Sequence, residues 1–129
     1  MDSQTRPLIG ISMGDPAGVG PEICVKSLAD PEMNRICRPV VVGHAGCLRD
    51  AAERVCHLPV TIRAVQTLDE ARFEQGQVNV LEAGSLPVGI CSSGKVSAAA
   101  GQLAYDAVAR LIRLALDGDR ATCMILVCA

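Results

Sequence analysis

The chain has 129 residues, half of them hydrophobic, with 14 acidic against 12 basic side chains and a formal charge of −2. That is enough apolar chain for one domain with a core, and the interspersed charges leave no basic patch or aromatic platform for nucleic acid. No apolar run reaches the roughly 20 residues that a membrane helix needs, and Met1 to Arg6 holds no apolar leader region, so no membrane partner and a cytoplasmic location are expected.

Phe73 and Tyr105 are the only aromatic residues. The core is therefore aliphatic, which suits parallel strands buried on both faces. In chain order, Leu8 to Met13 reads as a first strand and Pro21 to Ala29 as a first helix, ended by Asp30-Pro31. Asn34 to Pro39 is a connector, and the β-branched run Val40-Val41-Val42, closed by Gly43, reads as a central strand. Ala45 to Cys56 has apolar residues at spacings of three and four and is expected to be helical. Pro59 to Arg63 is a shorter strand, Asp69 to Phe73 a single helical turn, and the alternating Gln77 to Leu81 a strand suited to a sheet edge.

Gly84 to Gly94 is irregular, broken by Pro87, Gly89 and Ser92-Ser93-Gly94. Ser97 to Asp117 is the longest helix. Leu103, Ala107, Leu111, Leu114 and Ala115 line one face of it, with Gln102, Asp106, Arg110 and Arg113 outward, and Gly118 supplies its stop. Cys123 to Val127 is a last apolar strand. Strands alternating with helices predict an α/β fold: an open, largely parallel sheet with helices on both faces, a three-layer α/β/α arrangement left incomplete at its C-terminal end.

The stretch with most chemical content is Gly14-Asp15-Pro16-Ala17-Gly18-Val19-Gly20-Pro21-Glu22. It joins the first strand to the first helix. Pro16 keeps Asp15 out of the α region, and Pro21 suits the first helical position with Gly20 as the cap. Glu22 falls in the first turn, where the helix dipole favours an acid. Gly14, Gly18 and Gly20 permit positive φ or a close approach. A loop at the carboxyl end of a parallel strand is where open α/β sheets bind ligands. The same residues also serve a plain connector. The spacing is neither a phosphate P-loop nor a Gly-x-Gly-x-x-Gly dinucleotide motif.

Those nine residues resemble the signature of the 4-hydroxythreonine-4-phosphate dehydrogenase family of pyridoxal phosphate synthesis. They are also similar to its paralogues acting on D-threonate or D-erythronate 4-phosphate. Pro39 to Gly43, Glu70-Ala71-Arg72-Phe73 and Gly94 to Tyr105 resemble further landmarks, the last set closer to the sugar-acid paralogues. The resemblance implies an NAD-dependent oxidation of the secondary alcohol of a small phosphorylated hydroxy acid, followed by decarboxylation. It implies a divalent metal (Zn, Mg or Co) on the substrate oxygens, and a homodimer. The family's three metal-binding histidines, its phosphate-binding residues and its His-Thr pair fall beyond residue 129. The expectation is thus the N-terminal part of a two-domain dehydrogenase, truncated inside a core strand and inactive by itself. The alternative is a non-catalytic module that binds an anion or a partner.

His44 and His57 are the only histidines and match none of the family's ligands. His44, at a strand end, can reach a cleft, although a lone loop histidine is more often solvated; His57 lies in a helix-to-strand turn. Asp15 can ligate a metal through oxygen or close an Asx turn, the second being favoured. Lys26 and Arg38 are expected in solvent, Lys95 near an anion, and Tyr105 in packing. Seven cysteines with no Cys-x-x-Cys spacing argue against a zinc motif or a closed disulfide framework. Reduced, small buried hydrophobes are expected.

Overall fold

The computed structural model describes residues 6–86, 91, 94–95 and 97–117, and the backbone of 122–126. Five strands form one sheet: β1 (Leu8–Ser12), β2 (Arg38–Gly43), β3 (Thr61–Val65), β4 (Gln77–Glu82) and β5 (Thr122–Leu126), in the order β3-β4-β2-β1-β5. Every pairing is parallel, as the helix-separated apolar runs require, because parallel neighbours need a crossover. Ile11 of β1 stands beside Val41 of β2 on one side and Ile125 of β5 on the other.

The strands alternate their residues between two cores. Ile11, Val41, Val78 and Val80 face α1 (Gly20–Leu28), through Cys24, Val25 and Leu28, and α3 (Ala45–Asp50), through Cys47 and Leu48. Leu8, Val40, Val42 and Leu81 face α4 (Ala98–Asp117), through Ala107 and Leu111. The expected inner face of α4 is therefore correct. Ser97 caps this helix, its hydroxyl oxygen accepting from the Ala100 amide at 3.1 Å. Gly118, the expected stop, lies outside the described residues, as do Pro87, Gly89 and Ser92-Ser93 of the irregular stretch.

Four local expectations are corrected. Asp30-Pro31 ends α1 but also starts α2 (Pro31–Ile36). The Asp30 carboxylate accepts from the Glu32 amide at 3.0 Å, with Pro31 in the first turn. The Asp-Pro pair that breaks one helix is thus the cap and first residue of the next. The helix from Ala45 is α-helical only to Asp50 and continues as a wider π-type turn over Ala51–Val55. β3 runs over Thr61–Val65, two residues later than its Pro59 start suggested, and is an edge strand.

β4 is not an edge strand: it lies between β3 and β2. Asn79, a polar residue of the alternating run, is 1% exposed. Its side chain accepts from the Arg72 amide at 3.0 Å and donates to the Arg72 carbonyl at 2.8 Å. A buried amide is tolerated because both its polar ends are paired. Asn79→Ala leaves both Arg72 backbone groups without these partners. It is expected to lower the unfolding free energy by about 2–3 kcal/mol, read as a shift in the urea midpoint.

Candidate functional site

β1 is where the strand order reverses. The chain leaves it toward β2 on one side, and α4 later carries the chain back to β5 on the other. In open α/β sheets the carboxyl ends of strands at such a point flank the ligand crevice. The loop Gly14–Val19 occupies that end of β1, and Gly43-His44 and Glu82 stand at the neighbouring strand ends.

The loop is built by three backbone devices. Gly14 takes φ +77°, a left-handed conformation that costs glycine nothing. The Asp15 carboxylate accepts from the Ala17 amide at 2.8 Å, and the Gly18 amide donates to the Asp15 carbonyl at 3.0 Å. Asp15 thus closes the Asx turn. Pro16 and Ala17 are buried beneath the loop, while Gly18 and Glu22 are half-buried. Glu22 lies in the first turn of α1, as expected.

Gly20 is not the cap. Val19 holds that position, and Gly20 begins the helix. Its requirement is space: a Cβ there would lie 1.9 Å from the Met13 carbonyl oxygen. Gly43 meets the other side of the same residue, since a Cβ at 43 would lie 2.6 Å from the Met13 Cβ. Met13 is wholly buried, and its amide donates to the Val42 carbonyl at 3.1 Å.

His44 caps α3. Its Nδ1 accepts from the Cys47 amide at 3.2 Å, and the Ala45 amide donates to the Glu82 carboxylate at 3.0 Å. His44 is thus a half-buried capping residue rather than a solvated loop side chain. His57 takes φ +52° in the turn before β3 and is exposed. Cys47 is bonded to Cys91 in a disulfide with Cα atoms 5.1 Å apart, which corrects the expectation that all cysteines are reduced. The two stand 44 residues apart, so no spacing rule reveals the pair. The Gly94 amide, in the segment after Cys91, donates to the Ala17 carbonyl at 3.1 Å and docks that segment on the glycine loop.

Arg38 and Tyr105 also depart from expectation. Arg38 is half-buried, donating to the Arg6 carbonyl at 2.9 Å with its guanidinium 5.8 Å from the Phe73 ring centre. Tyr105 is 69% exposed and does not pack. Arg110 points outward as expected, yet donates to the Glu82 and Gln66 carbonyls at 3.1 and 3.3 Å, tying α4 to the ends of β4 and β3. Lys26 and Lys95 are exposed. Of the other described cysteines, Cys24 and Cys37 are buried, and burial pushes the Cys24 thiol up to about 12.

With this geometry in place, the chain can be compared with known proteins. No protein-family profile matches it. It is 41% identical, over 89% of its length, to D-threonate 4-phosphate dehydrogenase of Cupriavidus necator. It superposes on 4-hydroxythreonine-4-phosphate dehydrogenase of Burkholderia phymatum with a TM-score of 0.84 and 40% identity, covering 95% of this chain and 37% of that one. The enzyme of the same name from Klebsiella pneumoniae gives 0.79 and 33%, covering 98% and 38%. The fold is thus the parallel α/β sheet shared with proteins named as dehydrogenases. The resemblance read at Gly14 to Glu22 is borne out: the chain corresponds to a portion of the 4-hydroxythreonine-4-phosphate and D-threonate 4-phosphate dehydrogenases. It spans about a third of the length of the curated relatives it matches, 34% for the Cupriavidus protein.

Three substitutions test the loop and the core beside it. Gly20→Ala drives a Cβ into a backbone oxygen that cannot swing aside and should cost about 3 kcal/mol, whereas Asp15→Asn, which keeps the turn acceptor, should cost less than about 1 kcal/mol; urea unfolding measures both. The Cys24 thiol, raised from 9.0 to about 12 by burial, keeps its proton when folded and loses it sooner when unfolded. Its contribution is complete below pH 9 and is lost as pH rises toward 12. Cys24→Ala should therefore flatten the fall of stability across that window, read from urea midpoints at successive pH values.

Proposed function

We propose that this chain is the N-terminal part of a two-domain dehydrogenase of the cytoplasm. The whole protein would oxidise the secondary alcohol of a 4-phosphorylated four-carbon hydroxy acid with NAD, and decarboxylate the product. The observation that supports this reading is the glycine loop at the order reversal of a parallel sheet, in a chain 41% identical to a D-threonate 4-phosphate dehydrogenase. D-Threonate 4-phosphate is the preferred substrate on that identity, with 4-hydroxythreonine 4-phosphate as the second. A homodimer is proposed for the whole protein on resemblance alone.

The role of the described residues is scaffolding of one crevice wall. Gly14 to Glu22 fixes the turn, Asp15 is committed to it through the Ala17 amide, and Gly14 and Gly20 let the backbone lie close to its neighbours. The residues present do not fit the metal site that the resemblance implies. That site needs three histidines, whereas this chain has two, one capping α3 and one in the turn before β3. No step is therefore assigned to this chain through a metal, and the 129-residue chain is proposed to be inactive.

The reading is tested with the purified chain, NAD, Mg²⁺ or Zn²⁺, and D-threonate 4-phosphate. No NADH should form above background. Mixing it with a separately expressed C-terminal two-thirds of the Cupriavidus enzyme should restore NADH formation if the pieces associate. Turnover by the chain alone would overturn the assigned inactivity.

A further inference from the structure

We propose that His44, Cys47 and Cys91 form a site for a thiophilic divalent cation, zinc by its chemistry, which is open when the two sulfurs are reduced and closed when they are joined. This inference is independent of the dehydrogenase reading. None of its three donors lies in Gly14 to Glu22, and they differ from the all-histidine site which that reading implies.

The donor atoms of the three residues all lie within 4.8 Å of one another, and they are the one such group of histidine, cysteine or acidic side chains among the described residues. Tetrahedral zinc, with bonds of about 2.3 Å to sulfur and 2.0–2.1 Å to nitrogen, holds its donors roughly 3.5–3.8 Å apart. The imidazole is already within reach. Opening the disulfide lets the sulfurs move apart to that spacing.

The fold fixes two donors and delivers the third. His44 and Cys47 are three residues apart at the start of α3, held by the 3.2 Å bond from the Cys47 amide to Nδ1. Because Nδ1 accepts, the neutral ring carries its proton on Nε2. The Nδ1 lone pair can thus pass from the amide to a cation without loss of a ring proton. Cys91 arrives from the segment docked on Ala17 through Gly94. Cys47 is buried, and His44 and Cys91 are half-buried. The site is therefore partly sheltered yet reachable, and its fourth position is left to water or another small ligand.

The change of state balances. A dithiol reductant attacks the Cys47–Cys91 bond; two electrons pass to the sulfurs, the S–S bond breaks, and the reductant leaves as its own disulfide. Each cysteine sulfur takes a proton. Zinc then displaces both thiol protons to solvent, and two thiolates neutralise its charge. Thiolate and imidazole donors select zinc over magnesium, which takes oxygen ligands. In either state Cys47 and Cys91 are bridged, by sulfur or by metal, so the segment carrying Gly94 stays tethered beside the glycine loop.

The chain, reduced with a phosphine and freed of metal, should bind Co²⁺ one-to-one, with thiolate-to-cobalt charge-transfer absorption and the intense visible bands of a tetrahedral ion. Zn²⁺ should bleach these bands and Mg²⁺ should not. The disulfide form should show none. Cys47→Ser and Cys91→Ser should each abolish the charge-transfer band or weaken binding at least about tenfold, and so should His44→Asn. Asparagine keeps a cap acceptor for α3, so this variant removes the ligand and retains the cap; circular dichroism checks the fold of all three. Should a serine variant fail to fold, wild-type chain with Cys47 and Cys91 left as the disulfide and its other thiols alkylated serves in its place, and must bind no cobalt until that disulfide is reduced. The proposal is overturned by absence of stoichiometric cobalt binding in the reduced chain, by equal affinity in His44→Asn, or by binding that persists when Cys47 and Cys91 are both serine.

Discussion

Met13 is the residue around which the carboxyl edge of the sheet is assembled. Its backbone continues β1 through a bond to Val42, and its side chain is wholly enclosed. Two glycines stand against it with no room for a Cβ. Gly20 lets the first turn of α1 rest on the Met13 carbonyl, and Gly43 lets the end of β2 close over its side chain. Interiors are packed to crystal-like density, so this double contact fixes the distance between helix and sheet. It thereby sets the path of the loop between Gly14 and Val19.

The rest of the edge inherits that geometry. With α1 seated, the loop must turn within a few residues, which Gly14 achieves by positive φ and Asp15 by accepting from Ala17. On the opposite face Gly10 plays the same part as Gly20: a Cβ there would lie 2.2 Å from Leu111 Cδ1, so α4 lies close to β1. Arg110 then ties that helix to the ends of β3 and β4. The carboxyl edge of β1 is thus set by glycines that let a backbone oxygen at Met13 and the side chains of Met13 and Leu111 lie against them. The chain that carries this arrangement spans about a third of the length of the Cupriavidus relative.

Much of the architecture was legible because parallel strands are buried on both faces and separated by helices. Val40-Val41-Val42 and the apolar face from Leu103 to Ala115 are local signals that tertiary structure only confirmed. The signature from Gly14 to Glu22 carried the resemblance on its own residues. Where the reading failed, a local signal had two meanings. Asp30-Pro31 stops one helix and caps the next, and Asn79 looks like an edge residue until the Arg72 backbone is placed beside it.

By itself the sequence determined the class of fold, the existence of nearly every element, and the strand-turn-helix nature of the glycine loop, because hydrophobic period and turn chemistry act between near neighbours in the chain. Only the tertiary structure decided that β4 lies inside the sheet, that Gly20 is required for space rather than for capping, and that His44, Cys47 and Cys91 converge. Each of these depends on contacts between residues distant in sequence or on the clearance around a single atom. Neither quantity is encoded in local periodicity; both arise only when the chain is packed.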